Sequence, residues 1–223
     1  FPIDRELTTE LLEFDQLKIN SLAAQMSRGK LEKSTSIAFS SIGNSLAKLS
    51  MDICLYMGQD FNFISFPENL TTGSSIMPHK KNPDLFELVR GKCNNLQTLP
   101  NQLTLLTSNL PSGYHRDLQL AKGPIIEAAQ ELKACMDILL FSLPQLEVTQ
   151  DITAQKKYDY LFSVDTLNTE VIAGKPFRDA YRELGRAIEK GDFLPNRNLN
   201  HTHLGSIGNL GLERIRQKMK LII

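Results

Sequence analysis

The chain has 223 residues, 41% of them hydrophobic, enough to bury the core of one large domain or a domain and a half. Lys plus Arg and Asp plus Glu both number 25, so the net charge is zero, which argues against nucleic acid as an obligate partner. With no apolar run of membrane-spanning length and no signal peptide at the start, the cysteines Cys54, Cys93 and Cys135, none in a C-x-x-C pair, read as reduced, buried thiols of a cytoplasmic protein outside any membrane.

Helical periodicity dominates and strand signals are scarce. Residues 1–20 read as a loop with a short helix around Glu6–Glu13. One long helical stretch follows from about Asn20 to Met57, with Ile37, Ile42, Leu46, Leu49, Ile53 and Tyr56 near 3.6-residue spacing. Ala38, Ser41, Gly43, Ser45 and Ala47 keep that helix slim, which suits close neighbours on more than one side in a bundle or an oligomer core. Residues 58–83, rich in Pro, Gly and Asn, form a long loop of the kind that usually carries function. A helix runs from about Leu85 to Thr107, bent at Pro100, and the break Asn109–Gly113 leads to another from about His115 to Phe141, interrupted near Gly123-Pro124. Shorter helices occupy 151–173. Gly174-Lys175-Pro176 is a turn into a helix that ends at Gly191, and a last amphipathic helix covers about Leu210–Ile222. The expected architecture is all-α: a long-helix bundle over residues 1–145 and a small helical domain over 146–223.

The stretch Gly73-Ser74-Ser75-Ile76-Met77-Pro78-His79-Lys80-Lys81-Asn82-Pro83 carries hydroxyls, ammonium groups and an amide with little apolar content. Gly73 permits unusual backbone angles, so the following amides can form an anion nest, with Lys80 adding a mobile charge and Asn82 a donor or acceptor. Asp84 reads as the cap of the next helix and Glu87 as its capping-box partner. Such a field favours deprotonation of Ser74 or Ser75, and it fits proton abstraction beside a carboxylate, plain phosphate binding, or a solvated loop ahead of a helix cap. The missing second Gly, the missing Lys-Ser/Thr pair and the lack of a preceding strand signal argue against a nucleotide P-loop. A second polar set, Tyr114-His115-Arg116-Asp117-Leu118-Gln119-Leu120-Ala121-Lys122, opens a helix. Gln119 and Lys122 share a face there and Tyr114 leans toward the same end, either as a carboxylate pocket or as an ordinary polar helix start. His201 and His203 have no acidic or thiol ligands around them, so no metal site is expected.

At these two stretches the chain resembles the argininosuccinate lyases of the fumarase/aspartase superfamily. Residues 73–83 meet the loop signature G-S-S-x-M-P-x-K-x-N-P without a gap. Asp84 and Glu87-Leu88-Val89-Arg90-Gly91-Lys92 continue it, and Tyr114, Arg116, Asp117, Leu118, Gln119 and Lys122 meet the next motif. The resemblance implies reversible β-elimination of argininosuccinate to arginine and fumarate, in arginine biosynthesis, without cofactor or metal. It implies Ser74 as the base that takes the Cβ proton, and Lys80 and Asn82 holding the adjacent carboxylate. Ser75, Tyr114, Gln119 and Lys122 would bind substrate, under a loop that closes over it. It further implies a homotetramer with active sites shared between subunits. His79 in place of the usual Gln, and Leu120-Ala121-Lys122-Gly123 in place of Glu-Asp-Lys-Glu, keep two alternatives in view: adenylosuccinate lyase or another fumarate-releasing lyase, and an inactive crystallin-like homologue. Relatives of about twice this length imply that the chain corresponds to the C-terminal half of such an enzyme, which alone is expected to be inactive.

Overall fold

The structure is a computed structural model that describes every residue except Ser74, Pro78, His79, Asn200 and Ile223. Most described residues are helical, and the chain divides into two compact units, Phe1–Thr149 and Gln150–Ile223.

The first unit is organised around one helix. After α1 (Arg5–Leu11) and α2 (Ser21–Gln25) comes α3 (Lys30–Tyr56), 27 residues long and therefore about 40 Å from end to end. Its buried stripe is Ser36, Gly43, Ala47, Ser50 and Ile53, the spacing of a single helix face. Against that face pack α4 (Asp84–Leu96), α5 (Leu99–Leu106) and α6 (Lys122–Ser142). The pairing with α4 and α5 is antiparallel. Arg90 Nη1 donates to Met51 Sδ at 3.1 Å, Gly43 lies against Cys93 and Leu96, and Gly29 lies against Thr107. A methyl added at Gly43 would meet the Cys93 carbonyl oxygen at 3.2 Å, so the slimness of α3 is used in a close helix contact.

The core has two centres along this axis. Phe66, Leu70, Phe86, Val89, Cys93, Cys135 and Leu139 gather around the C-terminal half of α3, with the rings of Phe66 and Phe86 4.7 Å apart. Leu96, Leu99, Leu103, Ala121, Ala128 and Leu132 gather toward its N-terminal half. Burial, with Cys135 alongside as the next cause, pushes the Cys93 thiol up to about 12, so it stays protonated and packs as a small apolar group.

Several local expectations are corrected. The helix expected from Asn20 to Met57 is broken at residues 26–29. Gly29 adopts φ +77°, and a Cβ there would fall 2.6 Å from Thr107 Cγ2. Glu32 then closes the new helix start by accepting the Gly29 N–H at 2.7 Å. The expected bend at Pro100 is a full break at Gln97-Thr98, which places proline in the first turn of α5, where its missing N–H costs nothing. Arg116–Ala121 is a 3-10 turn, and Gly123-Pro124 falls in the first turn of α6 rather than interrupting it. Residues 58–83 are not all loop. β1 (Ile64–Ser65) pairs antiparallel with β4 (Glu147–Val148), and β2 (Thr72–Gly73) pairs antiparallel with β3 (Lys81–Asn82).

The second unit begins with 3-10 turns at Ile152–Ala154 and Lys156–Phe162, followed by α7 (Ser163–Ile172) and α8 (Phe177–Lys190). Pro176 stands just before α8, and Gly191 ends it in the left-handed region at φ +77°, as the Pro-to-Gly punctuation predicts. The segment after α8 is tied to α7 by the Asp165–His201 contact at 2.6 Å and by Asn196, whose N–H donates to Thr166 Oγ1. The final helix, α9 (Leu212–Lys220), is shorter than expected by about a residue or two at each end.

Candidate functional site

The loop motif is mounted at the C-terminal end of α3. The β2–β3 ladder, with Thr72 opposite Asn82 and Gly73 opposite Lys81, brings the two ends of the motif together as a hairpin base. Gly73 is therefore extended and paired, and the expectation that it supplies unusual backbone angles for an anion nest is not met. Nor does Asp84 cap α4. It is the first residue of the helix, Pro83 occupies the cap position without a side-chain bond, and the N–H groups of Phe86 and Glu87 donate to the Pro83 carbonyl. Asp84 and Glu87 still lie in the first turn, where their charges complement the helix dipole.

Lys80 and Asn82 line one cleft of ≈ 710 Å³, together with Met77, Glu87 and the far end of α3 at Cys54 and Met57. Gln59, Asn62, Ser65 and Thr71 complete its polar wall. Sequence reasoning did not single out these four. The residue type of Asn62 is the signal available, since Asn tolerates the left-handed backbone (φ +47°) that the structure shows there. Beside the hairpin base, Lys81 pairs with Glu68 at 3.4 Å, and Phe66 packs against Phe86 with the rings tilted by 41°, which fixes the start of α4. Ser75 and Lys80 are exposed, and Asn82 is half-buried. Ser74, Pro78 and His79 lie outside the described residues. Burial raises the Cys54 thiol despite the opposing Arg90 guanidinium, so at neutral pH this thiol is a neutral wall of the cleft.

The second motif sits at the opposite end of the same helix. Gln119 Nε2 donates to Tyr114 Oη at 2.8 Å, which brings these two expected partners together across the 3-10 turn. Lys122 begins α6 and is exposed. This end is fixed to α3 by Arg28, whose Nε donates to Glu32 Oε1 at 2.9 Å and whose Nη2 reaches the Leu118 carbonyl at 3.5 Å. Within one chain, therefore, Lys80 and Asn82 do not converge with Tyr114, Gln119 and Lys122. The length of α3 separates them, about 40 Å. Among the described residues, no three His, Cys, Asp or Glu side chains are grouped as metal ligands, and no helix is long and apolar enough to cross a membrane.

A family profile described as "Lyase" matches residues 2–98. An argininosuccinate lyase from Parabacteroides distasonis is 50% identical over 223 residues, covering 100% of this chain and 50% of that protein. An argininosuccinate lyase from Phocaeicola vulgatus is 46% identical with the same coverages, and one from Xylella fastidiosa is 35% identical over 97% of this chain and 49% of its own length. The chain thus spans about half the length of the curated relatives it matches. Among solved structures, a fumarate lyase:delta crystallin from Brucella melitensis superposes with a TM-score of 0.66 at 18% identity, covering 84% of this chain and 42% of that one. A class II fumarase from Schistosoma mansoni superposes with a TM-score of 0.64, also at 18% identity, covering 84% and 41%. At that identity the superpositions show the shared helical fold alone.

Proposed function

Because this chain belongs to the fumarase/aspartase superfamily of lyases, we propose that it supplies part of an argininosuccinate lyase, cleaving argininosuccinate reversibly to arginine and fumarate in arginine biosynthesis. One observation carries the reading: the unbroken 73–83 motif lies in a chain matched from end to end, at 46–50% identity, by proteins of that name. In this proposal Ser74 takes the Cβ proton, the C–N bond to the arginine moiety breaks, and the electron pair of the C–H bond forms the double bond of fumarate. Negative charge grows on the adjacent carboxylate in the transition state, and Lys80 and Asn82 are the groups that gain most by holding it there. Ser75, Tyr114, Gln119 and Lys122 bind the substrate, with the Gln119–Tyr114 hydrogen bond orienting the phenol. The hairpin loop closes over the bound substrate and excludes water.

The separation of the two motifs supports the shared-site part of the proposal. Groups held at opposite ends of α3 act on one substrate if different copies bring opposite ends together, as in a homotetramer. The solvent side of α3 is suited to such packing: Ile37, Ile42 and Leu49 are exposed on it among small residues such as Ala38, Ser41 and Ser45. Three free thiols fit work in the reducing cytoplasm.

The test is release of fumarate from argininosuccinate by the intact protein, beside the same assay on adenylosuccinate. Ser74→Ala is expected to lower turnover at least ~100-fold, the scale of a lost general base, while the assembly keeps its size by gel filtration. Turnover close to wild type in that variant removes the Ser74 role, and preference for adenylosuccinate removes the substrate assignment.

A further inference from the structure

The turn that leaves α3 is tightly tied. The N–H groups of Phe61 and Asn62 both donate to the Gly58 carbonyl, at 3.1 and 2.7 Å, and the Phe63 N–H donates to the Tyr56 carbonyl at 2.9 Å. The rings of Tyr56, Phe61 and Phe63 pack against one another, the two phenylalanine centroids 5.3 Å apart. Asn62 stands between those phenylalanines. Its backbone is left-handed, φ +47°, and it lines the loop cleft together with Lys80 and Asn82. Among the described residues, no hydrogen bond engages its carboxamide, so that group is open to the cleft. Gly adopts a left-handed backbone at least cost, so an Asn in that conformation depends on what holds it.

The group that holds it is 87 residues away. Thr149, one residue beyond β4, donates its N–H to the Phe63 carbonyl at 2.9 Å and its hydroxyl to the Asn62 carbonyl at 2.7 Å. The β1–β4 ladder sets this register, with Ile64 opposite Val148 and Ser65 opposite Glu147. Holding the Asn62 carbonyl fixes the residue's ψ, while its N–H bond to Gly58 restrains φ. Together they set the direction of the side chain. We propose that Asn62 is a substrate-contacting residue of the loop cleft and that Thr149 is the residue that positions it, an inference that rests on the elimination proposed above. An uncharged carboxamide both donates and accepts. It therefore holds the substrate alike in the ground state and in the transition state, whereas Lys80 and Asn82 meet the growing charge. Binding that is uniform in this way sets KM and not kcat.

The experiment is steady-state release of fumarate from argininosuccinate by the intact protein and four variants, with the fold of each checked by circular dichroism. Asn62→Gly permits the left-handed backbone and removes the carboxamide. It is expected to raise KM at least ~5-fold, the scale of one lost hydrogen bond, with kcat within about threefold of wild type. Thr149→Val keeps the backbone donor and the shape but loses the hydroxyl, and is expected to raise KM about threefold in the same way. Thr149→Ser restores the donor and is expected to return KM to the wild-type value. With Asn62→Gly and Thr149→Val combined, KM is expected to equal that of Asn62→Gly alone, because Thr149 acts through Asn62. A smaller rise of KM in Asn62→Gly, or a loss confined to kcat, would overturn the contact. A further rise in the double variant, or Thr149→Ser no better than Thr149→Val, would overturn the positioning role. Wild-type protein that releases no fumarate removes the elimination itself and the role of Asn62 with it, so the wild-type control separates the two failures.

Discussion

The two ends of α3 solve different problems with different materials. At the C-terminal end, two-residue strand pairs and the tilted Phe66–Phe86 contact hold a polar hairpin base at a cleft of ≈ 710 Å³. At the N-terminal end, a glycine-broken helix start and a 3-10 turn hold Tyr114 and Gln119 beside a smaller cationic cleft. In the proposed function the loop end supplies the groups at the reacting carbon, and the other end supplies groups that bind the substrate. The rigid helix between them keeps the two sets about 40 Å apart in any one copy. In the proposed homotetramer this long helix is a spacer: the set does not form within a single copy, and neighbouring copies supply the other half.

The largest effect tests that separation directly. Ser74→Ala copies and Gln119→Ala copies are each expected to lose turnover by ~100-fold or more as pure assemblies. Assemblies re-formed from a mixture of the two are expected to recover measurable fumarate release, since some sites then draw an intact loop from one copy and an intact Gln119 from another. Mixed assemblies as inactive as the pure ones would mean that each site is built within one copy.

A second pair of substitutions compares the two core centres. Phe86→Ala is expected to cost about 3–5 kcal/mol and Leu103→Ala about 2–5 kcal/mol in denaturant unfolding, both side chains being fully buried. The distinguishing readout is hydrogen exchange at Thr72, Lys81 and Asn82. Removal of Phe86 is expected to speed it, because that ring anchors the start of α4 directly after the hairpin, whereas removal of Leu103 leaves it unchanged. Equal acceleration by both would mean the ends do not loosen separately.

Much of this arrangement is legible in the residue order, and the exceptions have physical causes. Long helices advertise themselves by period, so α3, α4, α6 and α8 are found, and Pro176 and Gly191 mark the limits of α8. A two-residue strand has no period to read. β1 and β4 meet across more than eighty residues, so neither is visible locally. The break before α3 has a local signal: Gly29 followed by Glu32 at capping-box spacing. The polar make-up of the loop motif is legible, while the backbone freedom expected of Gly73 is overridden by its ladder pairing with Lys81. The cationic cleft is the least legible feature, since Arg28 and the Leu118 carbonyl that it reaches lie 90 residues apart.

Glu32 gives a pH test confined to the N-terminal end. Burial raises its carboxyl, but its own backbone hydrogen bond, Arg28 and the Gly29 N–H outweigh that, and the net shift is below the ordinary 4.5. A folded-state value below the unfolded one means the native state binds fewer protons. The stabilisation is therefore complete above the ordinary glutamate range and is lost as pH falls through the folded value. Glu32→Gln is expected to cost about 1 kcal/mol at neutral pH, with the difference from wild type vanishing in acid. A difference that persists unchanged in acid would assign the effect to packing instead of charge.

The smallest expected effect is at the other end, where Glu68 pairs with Lys81 beside the hairpin base. The two side chains are 86% and 54% exposed and 3.4 Å apart, so water and salt screen the attraction and ordering two long side chains offsets most of what remains. Glu68→Gln is expected to change stability by no more than about 0.5 kcal/mol and to leave amide exchange at Gly73 and Lys81 as it was. The backbone ladder and the Phe66–Phe86 contact are then what hold the hairpin base. A loss well above 1 kcal/mol that shrinks with added salt would reverse the contrast between the ends. Charge would then fix the loop as it fixes the start of α3, and the hairpin's position would depend on ionic strength.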